Sequence, residues 1–297
     1  MKILLTGATG FVGSHLKNHL KFLNKEFEEI SIRYPFKRKS ELSADIVIHL
    51  SGLAHDLKNI YKEKDYIEAN YKLTKQFFNA FLESRANLFI FISSVNAVSD
   101  GIDSLEEKEE LPISQFGKSK RLAEIYLLSQ SSSQSKKIII LRPCMIHGPG
   151  NKGNLNLLYE IVSKNIPWPL GAFENKRSFC SIDNLMFIFK ELIEREDIPS
   201  GIYNVADDEP LSTNDLIGLI AKSQNRKLKI WKISKSLIEK LARIGDKLHL
   251  PLSSERLHKL TSSYVVNNAK IKAAIGKPLP VSTREGLLKT FRSFNSH

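Results

Sequence analysis

Cysteine is almost missing from this chain: Cys144 and Cys180 are the only two in 297 residues. They stand apart, without the spacing of metal ligands, so free thiols and no metal centre are expected. Long apolar runs are missing too. Leu88 to Ile92 and Ile138 to Leu141 have the length of strands, too short to cross a bilayer. Met1-Lys2 followed by Ile3-Leu4-Leu5 does not make a secretory leader, because glycines break the run at once. Together these point to a cytoplasmic protein without membrane insertion. No internal repeat is visible. The formal charge is +12, but the basic residues are spread out, dense only at Lys37-Arg38-Lys39 and Lys136-Lys137. No nucleic-acid-binding motif accompanies them, so nucleic acid is not expected as a partner. A basic surface, part of it serving a diphosphate ligand, is the reading preferred.

What the chain does have is an organised beginning, MKILLTGATGFVGS from Met1 to Ser14. Lys2 to Thr6 has the pattern of a buried parallel strand. Gly7, Gly10 and Gly13 follow, and then Phe11, Val12, Leu16, Leu20 and Leu23 recur at helical spacing. A dinucleotide phosphate site requires this order of strand, glycine turn and helix. One glycine permits the turn, one lets the pyrophosphate approach the backbone, and one lets helix pack on strand. The free N–H groups of the helix start then face the phosphates. Arg33 lies twenty residues past Gly13, at the end of a second predicted strand, Glu29 to Arg33. An acidic residue there would suit the ribose of NAD; Arg33, with Lys37, Arg38 and Lys39, leans toward the 2′-phosphate of NADP.

The remaining pattern alternates. Ala44 to Ser51 reads as a strand ending at Gly52, and Tyr66 to Glu83 as a helix with a core-facing stripe of Tyr71, Thr74, Phe77, Phe78 and Phe81. Leu88 to Ile92 is a strand ending in Ser93-Ser94, where ligands bind in open α/β sheets. Ser99 to Pro112 is loop-like. Phe116 to Ser129 is helical, with Phe116 and Lys120 on one face. Ser129 to Lys137 is a polar connector, and Lys137 to Leu141 another strand. This is an α/β protein with a Rossmann-type doubly wound parallel sheet and a smaller C-terminal α/β substrate lobe. From Gly148 loops dominate. A helix is predicted over Asp183 to Arg195, a strand over Gly201 to Val205, a helix capped by Ser212 or Thr213 to Ser223, and another over Leu237 to Leu248.

In this order the motifs resemble one family, the extended short-chain dehydrogenases/reductases of the NAD-dependent epimerase/dehydratase type. Within it the chain is most similar to the UDP-glucose 4-epimerase-like branch and its 4-keto-sugar reductases. The strings are TGATGFVG (Thr6 to Gly13), DIVIHLSG (Asp45 to Gly52), Asn70, FISS (Phe91 to Ser94), GKSKRLAE (Gly117 to Glu124), LRP with GPG (Leu141 to Pro143, Gly148 to Gly150), KGN (Lys152 to Asn154), and KRSF with IDNL (Lys176 to Phe179, Ile182 to Leu185). The resemblance implies a dinucleotide-binding domain over residues 1–150, receiving a later strand near 201–205, and a nucleotide-sugar-binding lobe over 151–297. It implies that NAD or NADP touches Gly7, Gly10, Phe11, Val12, Gly13, Arg33, Leu50, Lys120 and Pro143. A UDP-sugar would meet Ser94, Asn154, Arg177 and Arg256. Ser94 would polarise the reacting sugar oxygen, Lys120 would hold the nicotinamide ribose, and hydride would move at a sugar carbon, in relatives that supply surface polysaccharides. A homodimer through helices of the sheet domain fits the same resemblance.

One position breaks the pattern. Relatives have Tyr-x-x-x-Lys; this chain has Phe116-Gly117-Lys118-Ser119-Lys120. Phe116 keeps the ring and loses the hydroxyl that moves a proton during catalysis. Loss of a positioned acid/base costs on the order of 10²–10⁴-fold in rate. Two readings follow: an epimerase or reductase with impaired proton transfer, or a cofactor- and nucleotide-sugar-binding pseudoenzyme. His147 lies in the loop after Arg142-Pro143, and histidine is a residue type able to transfer protons. Packing is the role preferred for it.

Overall fold

The computed structural model describes residues 1–37, 42–54, 60–98, 112, 114–131, 136–151, 153–227, 229–248 and 252–294. The expected loop at 99–111, Arg38 and Lys39 of the basic cluster, residues 132–135 of the connector and Lys152 lie outside the described residues.

β1 (Lys2–Thr6) passes through a glycine turn into α1 (Phe11–Phe22), followed by β2 (Glu26–Ile30) and β3 (Ile46–His49). Next come α2 (Glu63–Tyr66), a π-helical turn (Ile67–Lys72) and α3 (Leu73–Leu82). β4 (Leu88–Ile92), a 3-10 turn (Val95–Ala97), α4 (Gln115–Ser131) and β5 (Lys137–Pro143) continue the alternation. Beyond them lie β6 (Met145–His147), α5 (Asn154–Ser163), β7 (Phe179–Ser181), α6 (Ile182–Glu194) and β8 (Gly201–Val205). The chain finishes in helices: α7 (Thr213–Ser223), α8 (Lys235–Leu248), α9 (Ser254–Thr261), α10 (Ala269–Ile275) and α11 (Thr283–Ser293).

Six parallel strands pair in the order β2-β1-β3-β4-β5-β8. Alternation along each strand divides the core between the two faces. Ile3, Leu5, Ile46, Ile48, Ile90, Ile139 and Leu141 pack with α1, α6 and α10. Leu4, Val47, Phe89, Phe91, Ile138 and Ile140 pack with α3 and α4. Burial of both faces is the arrangement a parallel sheet needs, and it accounts for its nearly unbroken apolar runs. Phe77, Phe78 and Phe81 are fully buried on that second face, so the aromatic stripe of α3 is core. A third cluster, built from α5, α7, α8, α9 and α11 with Trp168 and Phe179, forms the C-terminal lobe. β6 and β7 form a separate two-stranded parallel sheet.

The second strand is not where the sequence pattern placed it. Glu29 to Arg33 has the better apolar alternation, yet β2 is Glu26–Ile30, with Lys2 opposite Glu26 and Thr6 opposite Ile30. The turn ending α1 sets that register, with Asn24 at φ 51°. β2 is a sheet edge, and its glutamates face solvent, where charge discourages pairing with another chain. Lys2 pairs with Glu28 across β1 and β2 at 2.8 Å. Arg33 therefore lies three residues past the strand rather than at its end.

Candidate active site

Gly7 has φ +70°, a conformation open to glycine, and a Cβ there would stand 2.8 Å from the Leu50 carbonyl carbon and the Ser51 nitrogen. At Gly13 a Cβ would stand 2.1 Å from the Gly7 carbonyl oxygen, so α1 can lie this close to the turn only without a side chain. Gly10 differs. Among the described residues a Cβ there would meet only the Gly7 oxygen, at 3.4 Å, so none of them demands glycine. Gly10 is also the N-cap of α1 and offers no side-chain cap, which leaves the first N–H groups of the helix, including those of Phe11 and Val12, for a ligand. An open cradle at Gly10 with uncapped donors fits a dinucleotide pyrophosphate. Leu50 follows β3, Ser94 follows β4 and Pro143 ends β5, so these residues share the carboxyl edge of the sheet with the glycine turn. Arg33 is exposed beyond β2.

A buried chain of hydrogen bonds links that turn to α4. Thr6 Oγ1 accepts from the backbone N–H of Leu50 (3.2 Å) and Ser51 (3.1 Å) and bonds His49 Nδ1 (2.8 Å). His49 Nε2 bonds Thr74 Oγ1 (3.0 Å), whose proton goes to the Asn70 carbonyl (2.7 Å). Thr74 has no second proton, so His49 donates from Nε2 and accepts at Nδ1. Burial, with the nearby Lys120 charge, keeps that ring neutral, its pKa lowered to about 3. Asn70 sits in the π-helical turn, a feature often found at functional sites. Its amide accepts from Leu53 N–H (2.7 Å) and donates to the Leu53 carbonyl (3.0 Å) and Ser119 Oγ (2.9 Å). Ser119 in turn donates to the Phe116 carbonyl at 2.7 Å.

Lys120, 4% exposed, projects from α4 to the end of β4, where Nζ donates to the Ile92 carbonyl at 2.9 Å. The ammonium also lies 4.7 Å from the centre of the Phe91 ring. Burial lowers its pKa to about 8, partly offset by Glu124. Glu124 itself is held by Arg142 through a two-pronged contact of 2.8 and 2.5 Å. A Cβ on Gly52 would stand 2.6 Å from Asn70 Oδ1 and 3.4 Å from Lys120 Nζ. One on Gly117 would stand 2.2 Å from the Asn96 carbonyl oxygen. Gly117 thus draws the first turn of α4 against the turn that carries Ser94. Ser94 Oγ accepts from Asn96 N–H at 3.2 Å, and Ser93 Oγ is buried with no partner among the described residues. Phe116, half-buried, packs edge-on against Tyr66 with ring centres 6.5 Å apart.

Arg177 is half-buried, its backbone bridged to Leu211 and Tyr264 and its guanidinium donating to the Lys259 carbonyl of α9. Among the described residues no carboxylate forms an ion pair with it. Burial lowers its pKa. A half-buried guanidinium that donates to a carbonyl and, among the described residues, faces no carboxylate within ion-pair distance is suited to an anion. Arg256 stands exposed on α9, three residues before Lys259, so the structure brings both arginines to one helix. Asn154 opens α5. His147 is fully buried, with Nδ1 bonded to Thr290 at 2.9 Å and Phe179 against its ring. Its Nε2 lies 3.5 Å from an Asp207 oxygen without a well-formed hydrogen bond, a packing position. Cys144 and Cys180 are free and buried. Among the described residues no cluster suits a metal ion, and no helix is long and apolar enough to cross a membrane.

Sequence reasoning passed over the Thr6–His49–Thr74 links and the closeness enforced by Gly117. His49 inside an apolar run was the available signal for the first; the second had none.

The model of the NAD dependent epimerase/dehydratase family matches residues 3–206. UDP-glucose 4-epimerase of Vibrio cholerae is 27% identical, covering 98% of this chain and 95% of that protein. An N-acetyl-alpha-D-glucosaminyl-diphospho-ditrans,octacis-undecaprenol 4-epimerase of Escherichia coli O157:H7 is 25% identical over 98% of this chain and 94% of its own. Among solved structures, UDP-glucuronic acid 4-epimerase from Bacillus cereus in complex with NAD superposes with a TM-score of 0.73 at 19% identity, covering 100% of this chain and 99% of that one.

Proposed function

We propose that this chain, which belongs to the NAD dependent epimerase/dehydratase family, binds NAD or NADP on its first glycine turn and acts at C4 of a sugar carried on a diphosphate. The observation that carries this reading is the placement of Lys120: buried on α4, tied to the end of β4, one residue from the Asn70–Ser119 link and close to Gly52. Bound NAD(P) supplies a hydride acceptor or donor. The remaining work belongs to the chain. Gly10 and the N–H groups of Phe11 and Val12 hold the pyrophosphate, while Gly7, Gly13, Leu50 and Pro143 shape the cleft around it. Arg33, exposed beyond β2, supplies a cation that suits an adenosine 2′-phosphate, which leans the choice toward NADP. Lys120 orients the nicotinamide ribose. Ser94 polarises the sugar oxygen. Phe116 occupies the place of a proton-transferring phenol and cannot move a proton, so turnover is impaired.

The two curated relatives named above are called epimerases of sugars on a UDP and on a diphospho-undecaprenol. Both carriers present a diphosphate, and Arg177, Arg256 and Asn154 suit one; a UDP-sugar is the substrate we assign. Residues 1–150 with β8 form the cofactor domain, and 151–297 mainly the substrate lobe. Exposed Leu122 and Ile125 on α4 support a homodimer through the sheet domain. A cytoplasmic enzyme supplying sugars for surface polysaccharide is consistent with these features. Phe116 also favours a second reading, a binding protein without catalysis.

The cofactor that copurifies with the protein tests the assignment. Tightly held NAD supports epimerisation, and exchangeable NADPH supports 4-keto-sugar reduction. No dinucleotide binding at saturation would overturn both.

A further inference from the structure

α8 carries two apolar strips, and only one is covered by the described residues. Ile238, Ala242 and Gly245 are buried in the C-terminal core. Leu237, Leu241, Ile244 and Leu248 are 49, 46, 49 and 64% exposed. At 3.6 residues per turn these four fall within about 60° of one another, beside the buried strip. The next positions around the helix are Lys240, Lys247 and Arg243, all exposed. Glu239 and Asp246 fall on the far side, and Asp246 is already engaged by Ser254. Trp231, 51% exposed, and the exposed Lys229 and Lys232 lie in the segment leading into the helix.

An uncovered leucine strip bordered by cations, with acids kept away, is the pattern of a helix that lies in the surface of an anionic bilayer. Tryptophan is favoured at that depth. A second copy fits less well. An isologous contact would bring the two cationic rows together, and four half-exposed side chains offer on the order of a few hundred Å², below the roughly 800 Å² per partner of a stable protein interface. We infer that α8 is a docking face for an anionic phospholipid surface, on which the protein lies without spanning it. This docking does not depend on what the active site turns over.

Vesicle flotation of the full chain is the test. Binding is expected to phosphatidylcholine vesicles containing phosphatidylglycerol and not to phosphatidylcholine alone, and salt should weaken it. K240A/R243A/K247A should lower the partition coefficient on the order of a hundredfold. L241E/I244E should abolish binding while leaving dinucleotide affinity unchanged, since these side chains already face solvent. Equal binding to neutral vesicles, no binding at all, or binding that survives both variants would overturn the inference. So would a change of oligomeric state in L241E/I244E without any vesicle binding by the parent protein, which would assign the strip to self-association.

Discussion

Phe116 meets Tyr66 ring edge to ring face, their planes 65° apart and their centres 6.5 Å apart. The residue that lacks a hydroxyl thus lies against one that has it, on two helices, α4 and α2, that pack together. Restoring the phenol should separate impaired chemistry from absent binding. Phe116→Tyr is expected to raise turnover of a UDP-sugar by about 10²-fold or more, with dinucleotide affinity unchanged. Steady-state kinetics and calorimetric titration read the two quantities. Tyr66→Phe in the parent background should leave any residual rate unaltered; a collapse would assign proton transfer to Tyr66 instead.

The glycine turn offers a paired contrast. Gly13→Ala drives a Cβ to 2.1 Å from the Gly7 oxygen, a backbone group that cannot yield. A loss of about 3 kcal/mol is expected in chemical denaturation. Gly10→Ala meets nothing nearer than 3.4 Å among the described residues. Its stability should change by about 1 kcal/mol or less, while dinucleotide affinity falls at least tenfold. Equal affinities for Gly10→Ala and the parent would remove the pyrophosphate from this turn.

Lys120 predicts an unusual pH dependence. Its folded pKa of about 8 lies below the 10.5 of an ordinary lysine. Between those values the unfolded chain binds more protons than the folded one, so this residue makes stability rise with pH from 8 to 10.5, and its penalty is complete below 8. Lys120→Met removes the penalty and forfeits the bond to the Ile92 carbonyl. A net gain of about 2 kcal/mol at pH 7 is expected, shrinking as pH rises toward 10.5. Urea unfolding of the cofactor-free protein at several pH values measures it. A variant less stable than the parent at pH 7 would refute the buried-cation account.

Arg177 bears on the substrate. Arg177→Met should weaken UDP binding by about ten- to a hundredfold, since a charge-assisted bond to phosphate is lost. Dinucleotide affinity should stay the same. Arg177→Lys should recover only part of the loss, because an ammonium lacks the planar fork. Unaltered UDP affinity in both variants would leave Arg177 a purely structural link between the 177 bridge and α9.

The parts legible in the sequence are those set by local pattern. β1, β4, β8 and α7 occupy the residues their periodicity indicated, and α7 starts at the Ser212–Asp215 capping box. The helix expected from Tyr66 begins at Glu63 and holds a π-helical turn that apolar spacing does not reveal. β2 lies apart from the best apolar alternation because an edge strand answers to its neighbour's hydrogen bonds and to solvent, not to burial. Its charged residues carry no alternation to read.

The sequence by itself determined a strand, a glycine turn and a helix at the start of the chain, a lysine four residues past a phenylalanine, and the alternation behind a two-faced core. Each follows from neighbours within a few turns, where spacing alone decides which residues share a face. Only the tertiary structure decided that Gly117 abuts Asn96, that His49 joins Thr6 to Thr74, that Arg177 leans on α9, and that one apolar strip of α8 stays exposed. These depend on how closely segments distant in the chain approach one another. That closeness is set by the whole packed core and is written in no local stretch.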